Sequence, residues 1–174
     1  MNVKLLLLYE HLEHERNELL NRLAKLPAER LNHKIVATKW SINQILMHLL
    51  TSEQLTLDYL KKKSQGLDQL VNSGPIESLK MVILQISQRL PLLTYNAPKF
   101  LVASTPETIP LQDLKIRWDS SRTELKIFLE NIQDEDLHKL IYKHPVAGRF
   151  DVVQCVTFLK EHFHHHLPQI KRLM

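Results

Sequence analysis

Leucine and its apolar relatives return every three or four positions through long runs of this chain, and only three glycines interrupt its 174 residues. That spacing lays an apolar stripe along a helix and leaves little room for strands. Leu5, Leu8, Leu12, Leu19 and Leu23 make the first stripe, in a helix expected from about Val3 to Leu26 with Pro27 as its stop. Ser41-Ile42-Asn43-Gln44 has the form of a capping box, where serine hydroxyl and glutamine amide each satisfy a free backbone amide of the first turn. It opens a second helix, roughly Ile42 to Lys63. A third, from about Ile76 to Thr94 and bent at Pro91, takes Leu79, Val82, Ile83, Ile86 and Leu90 as its core stripe. Leu111 to Ile132 forms a fourth through Leu114, Trp118, Leu125 and Leu129, and the box-like Asp151-Val152-Val153-Gln154 starts a last helix that runs from Val152 to near the end. Between them lie a polar connection after Pro27, a break at Gly74-Pro75, a loop from Ala97 to Pro110 with three prolines, a short turn from Asp134 to Leu140, and a turn-rich link from His144 to Gly148. With 44% hydrophobic residues the chain can bury a core, so the reading is a single all-α domain spanning 1–174.

Composition excludes several classes. The Leu5-Leu6-Leu7-Leu8 run is shorter than a signal peptide's apolar region and runs into Glu10, His11 and Glu13; no apolar stretch approaches the roughly 20 residues of a membrane span. A lone cysteine, Cys155, fits a reducing compartment, and a cytoplasmic location is expected. The net charge of +4 and the Lys61-Lys62-Lys63 run are offset by 19 interspersed carboxylates, so they read as a solvated helix end and not as a nucleic-acid surface. There is no Gly-rich phosphate loop, H-E-x-x-H, C-x-x-C or G-x-S-x-G.

Four of the ten histidines fall within His162-Phe163-His164-His165-His166. At about 100° per residue, His166 lies about 40° from His162, His165 about 60° to the other side, and His164 nearly opposite. Cys155, Leu159, Phe163, Ile170 and Leu173 share the side of His162 and His166, so those two point into the core while His164 is expected to face water. Imidazoles at i and i+4 can share one cation, but a zinc-type catalytic centre takes three protein ligands and keeps a position open. His48, at the edge of the stripe made by Ile42, Ile45 and Leu49, is the third candidate; a hydrogen-bonded core histidine is its structural alternative. Pro168 removes an amide donor and crowds the carbonyl of His164, which predicts a kink or an early end just after His166.

Other groups have plainer readings beside the functional one. His11 and His14 form an H-x-x-H that could compete as metal ligands, with a solvated face as the plainer reading. His165 is a candidate substrate-facing group or an exposed histidine, and His144 reaches the pocket mouth or belongs to its loop. Glu53 and Glu161 are pocket carboxylates, or surface or helix-pair charges; Trp118 and Arg122 line a pocket, or are core packing and a surface cation; Cys155 is soft enough to bind metal but reads as core.

The segments Trp40-Ser41-Ile42-Asn43-Gln44-Ile45-Leu46-Met47-His48-Leu49, Ala97-Pro98-Lys99-Phe100, His144-Pro145-Val146-Ala147-Gly148-Arg149-Phe150 and Phe158 to Ile170, with its H-x-x-H-H-x-x-Q-I pattern, resemble the DinB/YfiT-like superfamily of metal-binding helical bundles. The resemblance implies a four-helix bundle with one long crossover and frequent homodimers. It also implies a divalent metal, zinc or nickel, held by the residues at His48, His162 and His166. It implies two enzymatic activities, metal-dependent hydrolysis of a small-molecule substrate by activated water and transfer or isomerisation with a low-molecular-weight thiol; for the first, His165 and Glu53 are this sequence's own candidates for general base. A metal-binding protein without turnover and a purely structural interaction protein are the non-enzymatic alternatives.

Overall fold

The computed structural model describes residues 1–89 and 108–174. The helices are α1 (Val3–Leu23), α2 (Ala28–Asn32), α3 (Ile42–Lys63), α4 (Pro75–Arg89), α5 (Leu111–Glu130) and α6 (Val152–Leu173). Three-residue strands β1 (Tyr142–His144) and β2 (Gly148–Phe150) form an antiparallel hairpin between α5 and α6. Helices α1 and α3 each pack on both α5 and α6, which builds the four-helix bundle; α4 lies outside it, against α6 and β2. The expected proline-rich loop up to residue 107, the bend at Pro91 and the Ala97-Pro98-Lys99-Phe100 segment lie outside the described residues. No helix among the described residues is long and apolar enough to cross a membrane.

Both capping boxes form as their sequences require. Ser41 Oγ accepts from the Gln44 amide at 3.2 Å while Gln44 Oε1 accepts from the Ser41 amide at 3.1 Å, and Asp151 and Gln154 do the same at 2.7 and 3.1 Å. These boxes fix where α3 and α6 begin, and so the height at which their histidines stand. The stripes of α1 and α5 are buried as expected apart from the partly buried Leu8, with Leu5, Leu12, Leu19, Leu23, Leu114, Trp118, Leu125 and Leu129 all at most 4% exposed.

The core falls into two apolar clusters. One gathers Leu5, Leu12, Leu57, Leu60, Leu125 and Leu129 with Tyr142, Phe150, Cys155 and Phe158; the other gathers Leu19, Leu23, Ile42, Leu46, Leu50, Leu114, Trp118, Phe163 and Ile170. At mid-height on α1, α3 and α5 lies a polar layer. Arg122 Nε lies 2.8 Å from Glu53 Oε1, Trp118 Nε1 donates to Glu53 Oε2 at 3.2 Å, and Arg16 bridges Glu13 and Asp119 at 2.9 and 2.7 Å. Arg16, Arg122 and Glu53 are buried, so each charge depends on the others for what water would otherwise supply.

Three expectations are corrected. The α4 stripe is the outer face: Leu79, Val82, Ile83 and Ile86 are 48–61% exposed, while Met81 and Leu84 are buried. Among the described elements α4 packs against α6 and β2, so periodicity located an apolar face without saying which neighbour α4 would have. Of the kink or early end expected at Pro168, the early end does not occur, since α6 continues to Leu173. Ile170 is fully buried, and Leu167, Leu173 and Met174 pack on the same cluster, so tertiary burial holds the turn beyond the proline in register. The link from His144 to Gly148 is a β-hairpin whose Gly148 takes φ of 93°, a conformation suited to glycine. The helix α2 and a 3₁₀ segment over Ser64–Gln69 also lie in connections that showed no periodicity.

Pro168→Ala is expected to stabilise the fold by about 2 kcal/mol, the roughly 3 kcal/mol helix-interior cost of proline less up to about 1 kcal/mol of lost restraint on the unfolded chain. Urea unfolding measures it, and an unchanged midpoint would contradict it. Arg122→Met should cost about 3 to 5 kcal/mol by stranding Glu53, and adding Glu53→Leu should restore most of that loss.

Candidate metal centre

His48 stands two turns into α3, on the face turned to α6, and is 3% exposed. His162 and His166 stand one turn apart on α6. Each of the three rings brings one nitrogen within 4.8 Å of the others. His48 Nε2 and His162 Nε2 lie 3.1 Å apart, and all three ring centroids are 4.9–5.0 Å from one another. Trp40 packs against His48 with ring centroids 4.9 Å apart, and Phe158 stacks on His162 at 5.6 Å.

Removal from water disfavours the charged form of each ring. It pushes His48 down to about 4 and His166 down to about 3, with neighbouring imidazoles adding to the effect. His162 is lowered well below its ordinary value by burial and by His166, His48, His165 and His144. All three are therefore neutral near pH 7, with lone pairs available. His166 Nδ1 donates to Gln169 Oε1 at 3.1 Å, which leaves Nε2 as the basic nitrogen of that ring. Within this arrangement His48 Nδ1 is buried with no hydrogen-bond partner among the described residues. Three neutral imidazoles with converging nitrogens, one of them oriented from behind by an amide oxygen, are a donor set that fits a borderline divalent cation. His162 is the one residue of the three that keeps partial exposure.

A sequence profile of the DinB superfamily matches residues 11–170. The chain belongs to the DinB superfamily. It is 27% identical over 164 residues to the uncharacterized protein YuaE of Bacillus subtilis strain 168, with 91% of each chain covered. No solved structure matches it.

The other sequence candidates of this DinB protein occupy distinct places. His165 lies beside the triad, its ring 5.1 Å from that of His166 and its Nδ1 2.8 Å from the Gln88 carbonyl of α4. Glu53 sits in the polar layer with its carboxylate engaged by Arg122 and Trp118, and desolvation raises its pKa despite those partners. Trp118 and Arg122 belong to the same layer. Glu161 is buried and accepts two hydrogen bonds from Arg89, at 2.7 and 2.8 Å; burial raises its pKa, but Arg89, Lys160 and His164 outweigh that and hold it below the ordinary value. Cys155 is fully buried in the core. His14 is exposed and His11 half exposed, as expected of a solvated face. His164 departs from its expected position in water: Glu15 of α1 covers it, with Nε2 2.7 and 2.8 Å from the two carboxylate oxygens. Gln169 had a place in the terminal motif, but its function there depended on the three-residue reach back to His166.

His144 reaches the site's surroundings through the hairpin. Its Nδ1 accepts from the Val146 and Ala147 amides at 3.2 and 3.0 Å, which puts the ring proton on Nε2, and its ring lies 4.6 Å from that of Phe158. Burial lowers its pKa to about 4, against about 6.5 in an unfolded chain. The folded state thus binds fewer protons than the unfolded one between those values, so this contribution is present above about pH 6.5 and is lost as pH falls toward 4. Metal-free protein should lose stability over that interval in denaturant titrations, and His144→Gln should lose less. Parallel pH profiles would contradict the assignment.

Proposed function

We propose that this protein is a metal-dependent hydrolase in which His48, His162 and His166 hold one zinc or nickel ion and a small-molecule substrate approaches past His162. The observation that carries the proposal is the three-imidazole cluster with its partly exposed member, since a catalytic site of this type leaves a coordination position open. Bound there, such an ion would supply Lewis acidity and bring the pKa of water to about 7. The protein's own part is to keep the three rings neutral by burial, to orient His166 through Gln169, and to hold the aromatic rings of Trp40 and Phe158 against them.

His165 is the general base of this proposal. Donation from its Nδ1 to the Gln88 carbonyl makes Nε2 the basic nitrogen, an arrangement that positions an imidazole to take a proton. The carboxylate of Glu53 is occupied in its ion pair and takes no such role.

Elemental analysis of tag-free protein is expected to find zinc or nickel, with the equivalent held by the triad lost in His48→Ala and His166→Ala. Gln169→Ala should bind the metal about 10- to 100-fold more weakly. In the loaded protein, chelation should abolish turnover of small esters or amides, and His165→Gln should cut it about 10²- to 10⁴-fold with the metal retained. A loaded protein inert toward such substrates would return the site to metal binding alone.

A further inference from the structure

On the side of α6 opposite His162 and His166, a second set of ligand-type side chains converges with α1. His11 and Glu15 stand at i and i+4 on α1, with His11 Nε2 3.2 Å from Glu15 Oε2. His164 of α6 meets the same carboxylate, its Nε2 2.7 Å from Oε1 and 2.8 Å from Oε2. One donor atom from each of the three lies within 4.8 Å of the others, and the two imidazole rings are edge to face with centroids 6.1 Å apart. Two imidazole nitrogens and a carboxylate oxygen thus share one small volume, brought together from residues 149 positions apart in the chain.

We infer that His11, Glu15 and His164 form a second divalent-cation site, separate from the buried triad and open to solvent. Its donors select the cation class. A carboxylate with two imidazoles suits borderline first-row ions such as zinc, nickel and copper, whereas magnesium and calcium prefer sites made wholly of oxygen. Its exposure sets the rest. Glu15 and His164 are each 23% exposed and His11 is 50% exposed, so three protein ligands leave coordination positions for water. The carboxylate also offsets part of the ion's charge, which the all-imidazole triad does not. Without cation, the same geometry serves as a pair of imidazole–carboxylate contacts, in which the ring protons stand where the ion would.

The position of the site has a structural consequence. An ion there ties α1 to the one helix that contributes two of the three buried ligands. His164 lies two residues from both His162 and His166, so the two sites share a single helical turn and a half of α6. The surface site would then brace the backbone that aims the inner pair.

Zinc titration of tag-free, metal-stripped protein against a chromophoric chelator tests the inference, with cobalt absorption as a second measure of coordination. Wild type is expected to take up a second equivalent, weaker than the first and displaced first by chelator. His11→Ala, Glu15→Gln and His164→Ala should each abolish that equivalent and leave the tighter one, whereas His48→Ala should abolish the tighter one and spare the weaker. If the triad binds nothing, the single remaining equivalent should still be lost in Glu15→Gln and kept in His48→Ala, so failure of the inner site and failure of the outer one give different patterns. Circular dichroism checks each variant's fold, and because His11 is half exposed its variant remains informative if His164→Ala unfolds. Wild-type stoichiometry set by the triad alone, or a second equivalent that survives both His11→Ala and Glu15→Gln, would overturn the inference and leave ion pairs only.

Discussion

Arg122 and Glu53, closed off from water at mid-bundle and 2.8 Å apart, set the rotation of the helices around them. A charge buried without its partner costs several kcal/mol, so α3 must turn Glu53 toward α5, and α5 must turn Arg122 and Trp118 toward α3. Arg16 ties α1 to α5 through Asp119. Once α3 is held in that rotation, His48, five residues earlier and about 140° around the helix, faces α6. The polar layer takes no part in the chemistry proposed for the triad. It decides which side of α3 the third imidazole occupies.

Helix α6 receives the complementary constraint, because each residue from Glu161 to His166 is engaged by another part of the fold. Glu161 takes the two hydrogen bonds of Arg89. His162 and His166 meet His48, Phe163 packs edge to face on Trp118, His164 meets Glu15, and His165 meets the Gln88 carbonyl. A run so dense in histidine is not interchangeable position by position. Neighbouring rings are chemically alike, yet the 100° step between them hands each to a different helix. Burial then separates their protonation behaviour, keeping His48, His162 and His166 neutral.

Much of this was legible before any coordinates. The capping boxes at Ser41 and Asp151 marked helix starts because their geometry is local, involving residues only three apart. The i, i+4 spacing of His162 and His166 and the stripe edge at His48 likewise followed from helical angles. What remained hidden was non-local. The stripe of α4 indicated an apolar face but not its neighbour. Pro168 indicated a broken turn, while the burial of Ile170 that holds α6 together past it comes from other helices. The hairpin strands are three residues each, too short for a period-two pattern to register.

The sequence by itself determined that the chain is helical, where its principal helices start, and that two imidazoles of the last helix share a face, because each of these depends on contacts within a few residues. Only the tertiary structure decided that Glu53 serves an ion pair, that Gln169 orients His166, and that His164 meets Glu15 instead of water. Those outcomes rest on which helix lies beside which, and that is set by burying two apolar clusters and one charged layer at the same time.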